Sequence, residues 1–208
     1  MRSVPEFAEP LRKQDVDPDP LRQFDVWFRQ AASAGVRAPE AMAVATASAQ
    51  GVPSVRMVLL KQYDARGFVF YTNYESRKAL ELAANPHAAL LFNWDLLGRQ
   101  VRIEGPVQRT DREASTAYAR SRPRGSQLSA LASPQSRAIE SRGALEERVA
   151  QLAARYGGAE LPVPDAWGGY LVFPQSFEFW QHREDRLHDR LLYARLPESG
   201  WRLERLAP

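Results

Sequence analysis

Apolar residues change their spacing along this chain. Between Asp19 and Gly35 they recur at helical intervals, and Leu21, Phe24, Phe28 and Ala31 fall on one face. Asp19-Pro20 marks the start, an acid that caps free N–H groups followed by a proline whose fixed φ suits the first helical position. From Ala41 the spacing shortens to that of strands. Ala41–Ala47 is small and apolar, while Pro53–Tyr63 and Phe68–Thr72 are rich in branched and aromatic residues. The turns Ser48-Ala-Gln-Gly51 and Asp64-Ala-Arg-Gly67 separate them. His87–Trp94 and Gln100–Val107 continue the pattern, and further strands are predicted at Trp167–Phe173, Phe177–Gln181, Leu187–Arg195 and Trp201–Leu206. Helices are predicted from Ser76 to the stop at Asn85-Pro86, from Thr110 or Asp111 to Arg122-Pro123, and from about Gly143 to Tyr156, with a short one before the last. Residues 1–18, rich in proline and charge, read as a mobile N-terminal arm, which leaves 19–208 as one domain. Many short strands with a few helices predict a mainly β (α+β) fold, an antiparallel barrel, closed or partly closed, with peripheral helices.

Composition narrows the function classes. The 208 residues carry no cysteine, which excludes disulfides, thiolate metal sites and cysteine nucleophiles. His87, His182 and His188 are too scattered for a histidine metal centre, so no metal is expected. A net charge of +3, with acids and bases mixed, lacks the basic stripe of a nucleic-acid binder. No apolar run suits a membrane span or a secretory signal, so a cytoplasmic location is expected. Of the 28 basic residues only Lys13, Lys61 and Lys78 are lysines.

Three stretches carry candidate chemistry. Taken as a strand, Arg186-Leu-His-Asp-Arg190 projects Arg186, His188 and Arg190 from one face. That comb reads either as half of a site for a flat or anionic ligand, or as a solvated edge neutralised by Glu184 and Asp185. In Ser54-Val-Arg-Met-Val-Leu-Leu-Lys61 a regular strand puts Arg56 and Lys61 on opposite faces, so they serve different groups. Ser76, Arg77 and Lys78 lie at a helix N-terminus just after Tyr71-Thr72, where free N–H groups and the helix dipole favour an anion. Arg56, Arg77, Lys78 and the Thr72 hydroxyl are thus candidates to hold one phosphate. Tyr118 and Arg122 share a helix face, and Pro123 and Gly125 can return Ser126 beside them as a second phosphate pocket or leave an ordinary helix end. Gln100, Gln135 and Ser136 offer polar groups for the edge of a heterocycle, and Trp180 is a core residue or a ring contact. Two anion sites with no acid pair and no nucleophile–base pair point to chemistry carried by a bound cofactor.

Together these residues resemble the pyridoxine (pyridoxamine) 5′-phosphate oxidase family. The resemblance rests on Arg56-Met-Val-Leu-Leu-Lys61, Phe70-Tyr-Thr-Asn73, Ser76-Arg-Lys78, Arg99-Gln100, Ser121-Arg-Pro-Arg124, Gln135-Ser136, Phe179-Trp-Gln181, Arg186-Leu-His-Asp-Arg190 and Arg205-Leu-Ala-Pro208. It implies an FMN-binding split β-barrel spanning 19–208 and a homodimer with two interfacial sites. FMN would be held by Arg56, Met57, Val58, Leu59, Leu60, Lys61, Tyr71, Thr72, Arg77, Lys78 and Gln100 of one subunit. Gln135, Ser136, Trp180 and Arg190 would complete the site from the partner subunit. Lys61, Tyr118, Arg122 and Ser126 would grip the substrate phosphate, with Arg186 and His188 over the pyridine ring as the catalytic pair. The implied reaction is hydride transfer from pyridoxine or pyridoxamine 5′-phosphate to FMN, with dioxygen as final acceptor, giving pyridoxal 5′-phosphate and hydrogen peroxide (and ammonia from the amine). Two other readings share the resemblance: a phenazine-type oxidase on the same barrel, and a non-catalytic flavin- or pyridoxal-phosphate-binding protein. The chain departs from the pattern at His182-Arg183, where relatives commonly have glycine, and in a short N-terminal segment that lacks the Arg-rich, Tyr-containing stretch many relatives fold over the substrate, with Arg12 and Lys13 as its basic candidates for that job.

Overall fold

The computed structural model describes residues 9–208. Helix α1 (Pro20–Ser33) opens where the sequence predicts, with Asp19 Oδ1 accepting the Leu21 N–H at 2.9 Å. Its apolar face carries Phe24, Trp27 and Ala31 into the core. The strands follow as β1 (Ala41–Ala47), β2 (Pro53–Leu59), β3 (Gln62–Asp64), β4 (Gly67–Asn73), β5 (His87–Trp94), β6 (Arg99–Arg109), β7 (Trp167–Val172), β8 (Ser176–Gln181), β9 (Asp189–Arg195) and β10 (Trp201–Arg205). Between them lie α2 (Arg77–Ala84), α3 (Arg112–Ser121), α4 (Arg124–Ala132) and α5 (Arg142–Tyr156). No helix among the described residues is long and apolar enough to cross a membrane.

All pairings are antiparallel, in the order β10-β9-β8-β6-β5-β1-β2, with β7 joining β6 to β4 and β3 on β4's other edge. The sheet curls because β6 changes partner along one edge. Its residues 99–104 pair with β8, and residues 107–109 pair with β7. Gly105 stands at the junction, where a Cβ would lie 1.9 Å from the Phe173 carbonyl oxygen. Only glycine permits that approach. The result is a half-barrel, with Phe24 of α1 packed among Phe28, Tyr63, Phe68, Phe92 and Trp94 at ring separations of 4.9–6.0 Å.

Three expectations change. The segment expected as one strand, 53–63, breaks at Leu60, because the backbone leaves β1 and Lys61 N donates instead to Val69 O of β4 at 2.9 Å. The comb is not a regular strand either. Glu184–Arg186 forms a 3-10 turn, Asp185 and Arg186 have φ of 51° and 61°, and β9 begins only at Asp189. Alternation therefore does not align Arg186 with His188 and Arg190. Of the expected mobile arm, residues 1–8 lie outside the described residues, whereas residues from 9 onward are docked. Leu11 is buried, and Gln181 Nε2 donates to the Glu9 carbonyl at 2.6 Å.

Strand β2 stands at the sheet's end with Val55, Met57 and Leu59 turned outward, 68%, 64% and 43% exposed. A row of large apolar side chains on an edge strand marks a surface for association. Phe24→Ala should cost about 3–5 kcal/mol, as expected for truncating a fully buried aromatic. Urea unfolding checks this, and a loss under about 1 kcal/mol would show that the ring cluster does not anchor α1.

Candidate active site

A cleft of about 410 Å³ opens beside β2 and β4, lined among others by Met57, Val58, Leu59, Lys61, Tyr71 and Thr72. Its floor is aromatic. The Tyr71 ring stacks on Tyr118 at 4.0 Å and on Trp167 at 5.4 Å, and the Arg122 guanidinium lies 4.9 Å from the Trp167 ring. Close backbone packing makes room for this stack, since a Cβ on Gly169 would sit 2.6 Å from Thr110 Oγ1 and 2.9 Å from the Tyr71 ring. Burial first, and then Tyr118, push the Tyr71 hydroxyl pKa upward, so it stays protonated at neutral pH.

Lys78 is the cation at the cleft's inner end. It sits in the first turn of α2, is 6% exposed, and donates from Nζ to Thr72 Oγ1 (2.9 Å), Ser76 Oγ (3.3 Å) and Gln135 Oε1 (3.3 Å). All three acceptors are neutral, and among the described residues Lys78 forms no ion pair. Burial lowers its pKa to about 8, with nearby Arg56 adding to the effect and Glu81 opposing it. A desolvated ammonium without a countercharge, at a helix N-terminus, is disposed to receive an anion.

Glu81, one turn on in α2 and also buried, organises the guanidinium groups. Its Oε2 accepts from Thr46 Oγ1 and Ser54 Oγ at 2.5 Å and from Arg56 Nη2 at 3.3 Å, and its Oε1 accepts from Arg77 Nε at 2.9 Å. Burial raises its pKa, but the bonds from Ser54, Thr46, Arg77 and Arg56 outweigh that and bring it down to about 2. Arg56 and Arg77 thus share one carboxylate, and neither lines the cleft.

A second group lies on β8, β9 and the loop between them. Trp180 stands across the ladder from Gln100 and Arg190, and its ring is 4.6 Å from that of His188. The His182 ring is 5.1 Å from His188. His188 Nδ1 accepts the Arg183 N–H at 3.1 Å, which places the proton of the neutral ring on Nε2. Burial first, then His182 and Arg186, lower its pKa, so the neutral form prevails at pH 7. Arg190 makes a forked pair with Glu178 at 2.7 and 3.1 Å and donates to the Ala207 carbonyl at 2.8 Å.

Residues 28–156 match the family model described as pyridoxamine 5′-phosphate oxidase. The chain belongs to the pyridoxamine 5′-phosphate oxidase family. Residues 167–208 match the pyridoxine 5′-phosphate oxidase C-terminal dimerisation region. Pyridoxine/pyridoxamine 5′-phosphate oxidase from Rubrobacter xylanophilus is 57% identical over 95% of this chain and 91% of its own. The same-named protein of Salinibacter ruber is 55% identical over 95% and 93%. Among solved structures, PhzG from Burkholderia lata 383, in complex with tetrahydrophenazine-1-carboxylic acid, is similar at a TM-score of 0.91. It has 32% identity and covers 99% of this chain and all of its own. An FMN-binding, pyridoxamine 5′-phosphate oxidase-related protein of Nostoc punctiforme shares the fold at a TM-score of 0.71 and 20% identity.

In this oxidase-family chain the cleft gathers residues from both expected phosphate sets. Thr72 and Lys78 face it with Lys61, Tyr118 and Arg122, so the two anion pockets anticipated as separate are parts of one hollow. Gln135 bonds Thr72 and Lys78 within its own chain. Ser136, with φ 70°, lines a different hollow beside Arg77 and Glu81. Leu60 is buried in the core, and Ser126 lies in the first turn of α4, outside the residues lining the cleft. Gln100, Trp180, Arg186, His188 and Arg190 do not line it either. Sequence reasoning missed Glu81 and Trp167. The four-residue spacing from Arg77 to Glu81 was a usable signal, whereas Trp167 meets Tyr71 only through the β4–β7 pairing.

The depressed Glu81 pKa stabilises the fold above its ordinary value of 4.5, and that contribution fades as pH falls toward 2. Glu81→Gln should therefore lose stability at pH 7 and show less acid sensitivity than the unmodified protein between pH 4.5 and 2. Urea melts at both ends of that window check this. Parallel stability curves for the two proteins would contradict the ion-pair account.

Proposed function

We propose that the protein is a cytoplasmic FMN-dependent oxidase that converts pyridoxine 5′-phosphate and pyridoxamine 5′-phosphate to pyridoxal 5′-phosphate. Dioxygen is the acceptor, and hydrogen peroxide is released, with ammonia from the amine. One observation carries the reading: a single cleft in which buried Lys78 forms no ion pair among the described residues, while Lys61 and Arg122 supply further cations over a stacked aromatic floor. Two phosphorylated, flat molecules suit that donor set, and a carboxylate-only ligand leaves part of it unmatched.

The residues fit FMN. Lys78, Thr72 and Gln135 would hold its phosphate, and the exposed faces of Met57 and Leu59 would meet its apolar ring system. Bound FMN supplies hydride acceptance and reoxidation by dioxygen. Lys61, Tyr118 and Arg122 would fix the substrate phosphate. Arg186, through its guanidinium, and His188, through its Nε2–H, would orient the pyridine ring. Positioning of this kind supplies a large share of rate when reacting atoms are held close.

A homodimer completes the arrangement. The match to a dimerisation region at 167–208 supports it, as do the exposed Val55, Met57 and Leu59. In this reading Trp180, Arg186, His188 and Arg190, which stand outside the cleft of their own chain, reach the cleft of the partner. The likeness to PhzG favours a second reading, oxidation of a larger aromatic acid. Lys61, Tyr118 and Arg122 argue for the phosphorylated substrate, since a ligand without phosphate leaves those three unmatched.

The purified protein should be yellow, bleach on addition of pyridoxine 5′-phosphate under nitrogen, and form peroxide in air. Colour with no bleaching would leave only a flavin-binding protein, and turnover of a tetrahydrophenazine carboxylate in place of the vitamer would favour the second reading. Arg186→Leu should lower kcat/KM at least tenfold with FMN still bound. An unchanged value would remove its role. Lys78→Met should weaken FMN binding by about ten- to hundredfold, the loss expected for one charge-assisted bond, as read by flavin fluorescence quenching. A variant that binds FMN as tightly as the unmodified protein would move the phosphate elsewhere.

A further inference from the structure

A half-buried carboxylate ties three segments together at the β8–β9 end of the sheet. Asp189, with a side chain 14% exposed, accepts the Leu11 N–H and Arg183 Nε on Oδ2, at 3.2 and 2.8 Å, and Arg205 Nη1 on Oδ1 at 2.7 Å. Arg205 also donates to the Leu11 carbonyl at 2.5 Å. Beside it Gln181, 1% exposed, donates to the Glu9 carbonyl and accepts from Arg99 Nε at 3.1 Å. Among the described residues, His188 Nδ1 accepts the Arg183 N–H and Asp189 holds its guanidinium. Between those points Asp185 and Arg186 adopt left-handed backbone angles, which non-glycine residues keep only where the surroundings over-determine them.

We propose that Asp189 is a positioning residue: its carboxylate locks the 183–188 loop to the N-terminal segment, so that the placement of Arg186 and His188 depends on residues 9–11. The inference rests on the reading of Arg186 and His188 as substrate contacts. An ionised carboxylate suits the position because it offers two acceptor oxygens and no donor. Asparagine would turn an NH2 group toward a guanidinium or toward the Leu11 N–H. Burial alone would raise the Asp189 pKa, but Arg183, Arg205 and the Leu11 N–H outweigh it and hold the group ionised.

Asp189→Asn and a variant lacking residues 1–12 test the proposal, each loaded with FMN. Amide hydrogen exchange across 182–188 should speed at least tenfold in both. For pyridoxine 5′-phosphate, KM in Asp189→Asn should rise at least tenfold, with FMN affinity within twofold of the unmodified protein, and combining the two changes should add little to either. Unchanged loop exchange, a parallel fall in FMN affinity, or effects that multiply would overturn it. Should Asp189→Asn fail to fold, loop exchange in the shortened variant decides alone. If the unmodified protein fails to oxidise the vitamer, the functional reading falls, while the exchange data still judge the link between the N-terminal segment and the loop.

Discussion

Burying an ammonium group with no ion-pair partner is costly, and among the described residues Lys78 is placed in that way. The surrounding architecture is arranged to make that arrangement stable. Thr72 on β4, Ser76 at the cap of α2 and Gln135 on the loop after α4 each supply a neutral acceptor. The carboxylate that could have neutralised the amine, Glu81, is instead occupied by Arg56 and Arg77 and by two hydroxyls. Charge is thereby sorted within a single helix turn. The guanidinium groups are paired off behind, and the amine is left for something that enters the cleft.

That sorting depends on the way the sheet is built. β4 brings Tyr71 and Thr72 to the cleft because β7 covers its edge, and β7 reaches β4 because β6 exchanges β8 for β7 at Gly105. The same exchange leaves β8 and β9, with Trp180, His188 and Arg190, on another part of the sheet. The two groups of residues thus belong to different regions of one chain. An exposed apolar edge and a dimerisation-region match accompany this division.

Much of this was legible in the sequence. Helix α1 follows from Asp19-Pro20 and the spacing of Leu21, Phe24, Phe28 and Ala31, and most strands follow from two-residue alternation. Where reading failed, a tertiary contact overrode a local pattern. Leu60 breaks a strand because Lys61 N finds Val69 O, and Arg186 leaves extended geometry because Asp189 and His188 hold Arg183. The pairing of Arg56 with Glu81 joins residues 25 positions apart, which alternation cannot reveal. Family resemblance singled out Thr72 and Lys78, and the structure shows the hydrogen bonds that hold them.

The chain's three lysines make a direct measurement practical, because Lys78 need only be told apart from Lys13 and Lys61 in an NMR titration of labelled lysine side chains. Lys78 should titrate near pH 8 in the cofactor-free protein, displaced by burial and by Arg56, and FMN should raise this value as its phosphate arrives. A Lys78 that titrates at the ordinary 10.5 and stays there when FMN is added would contradict it.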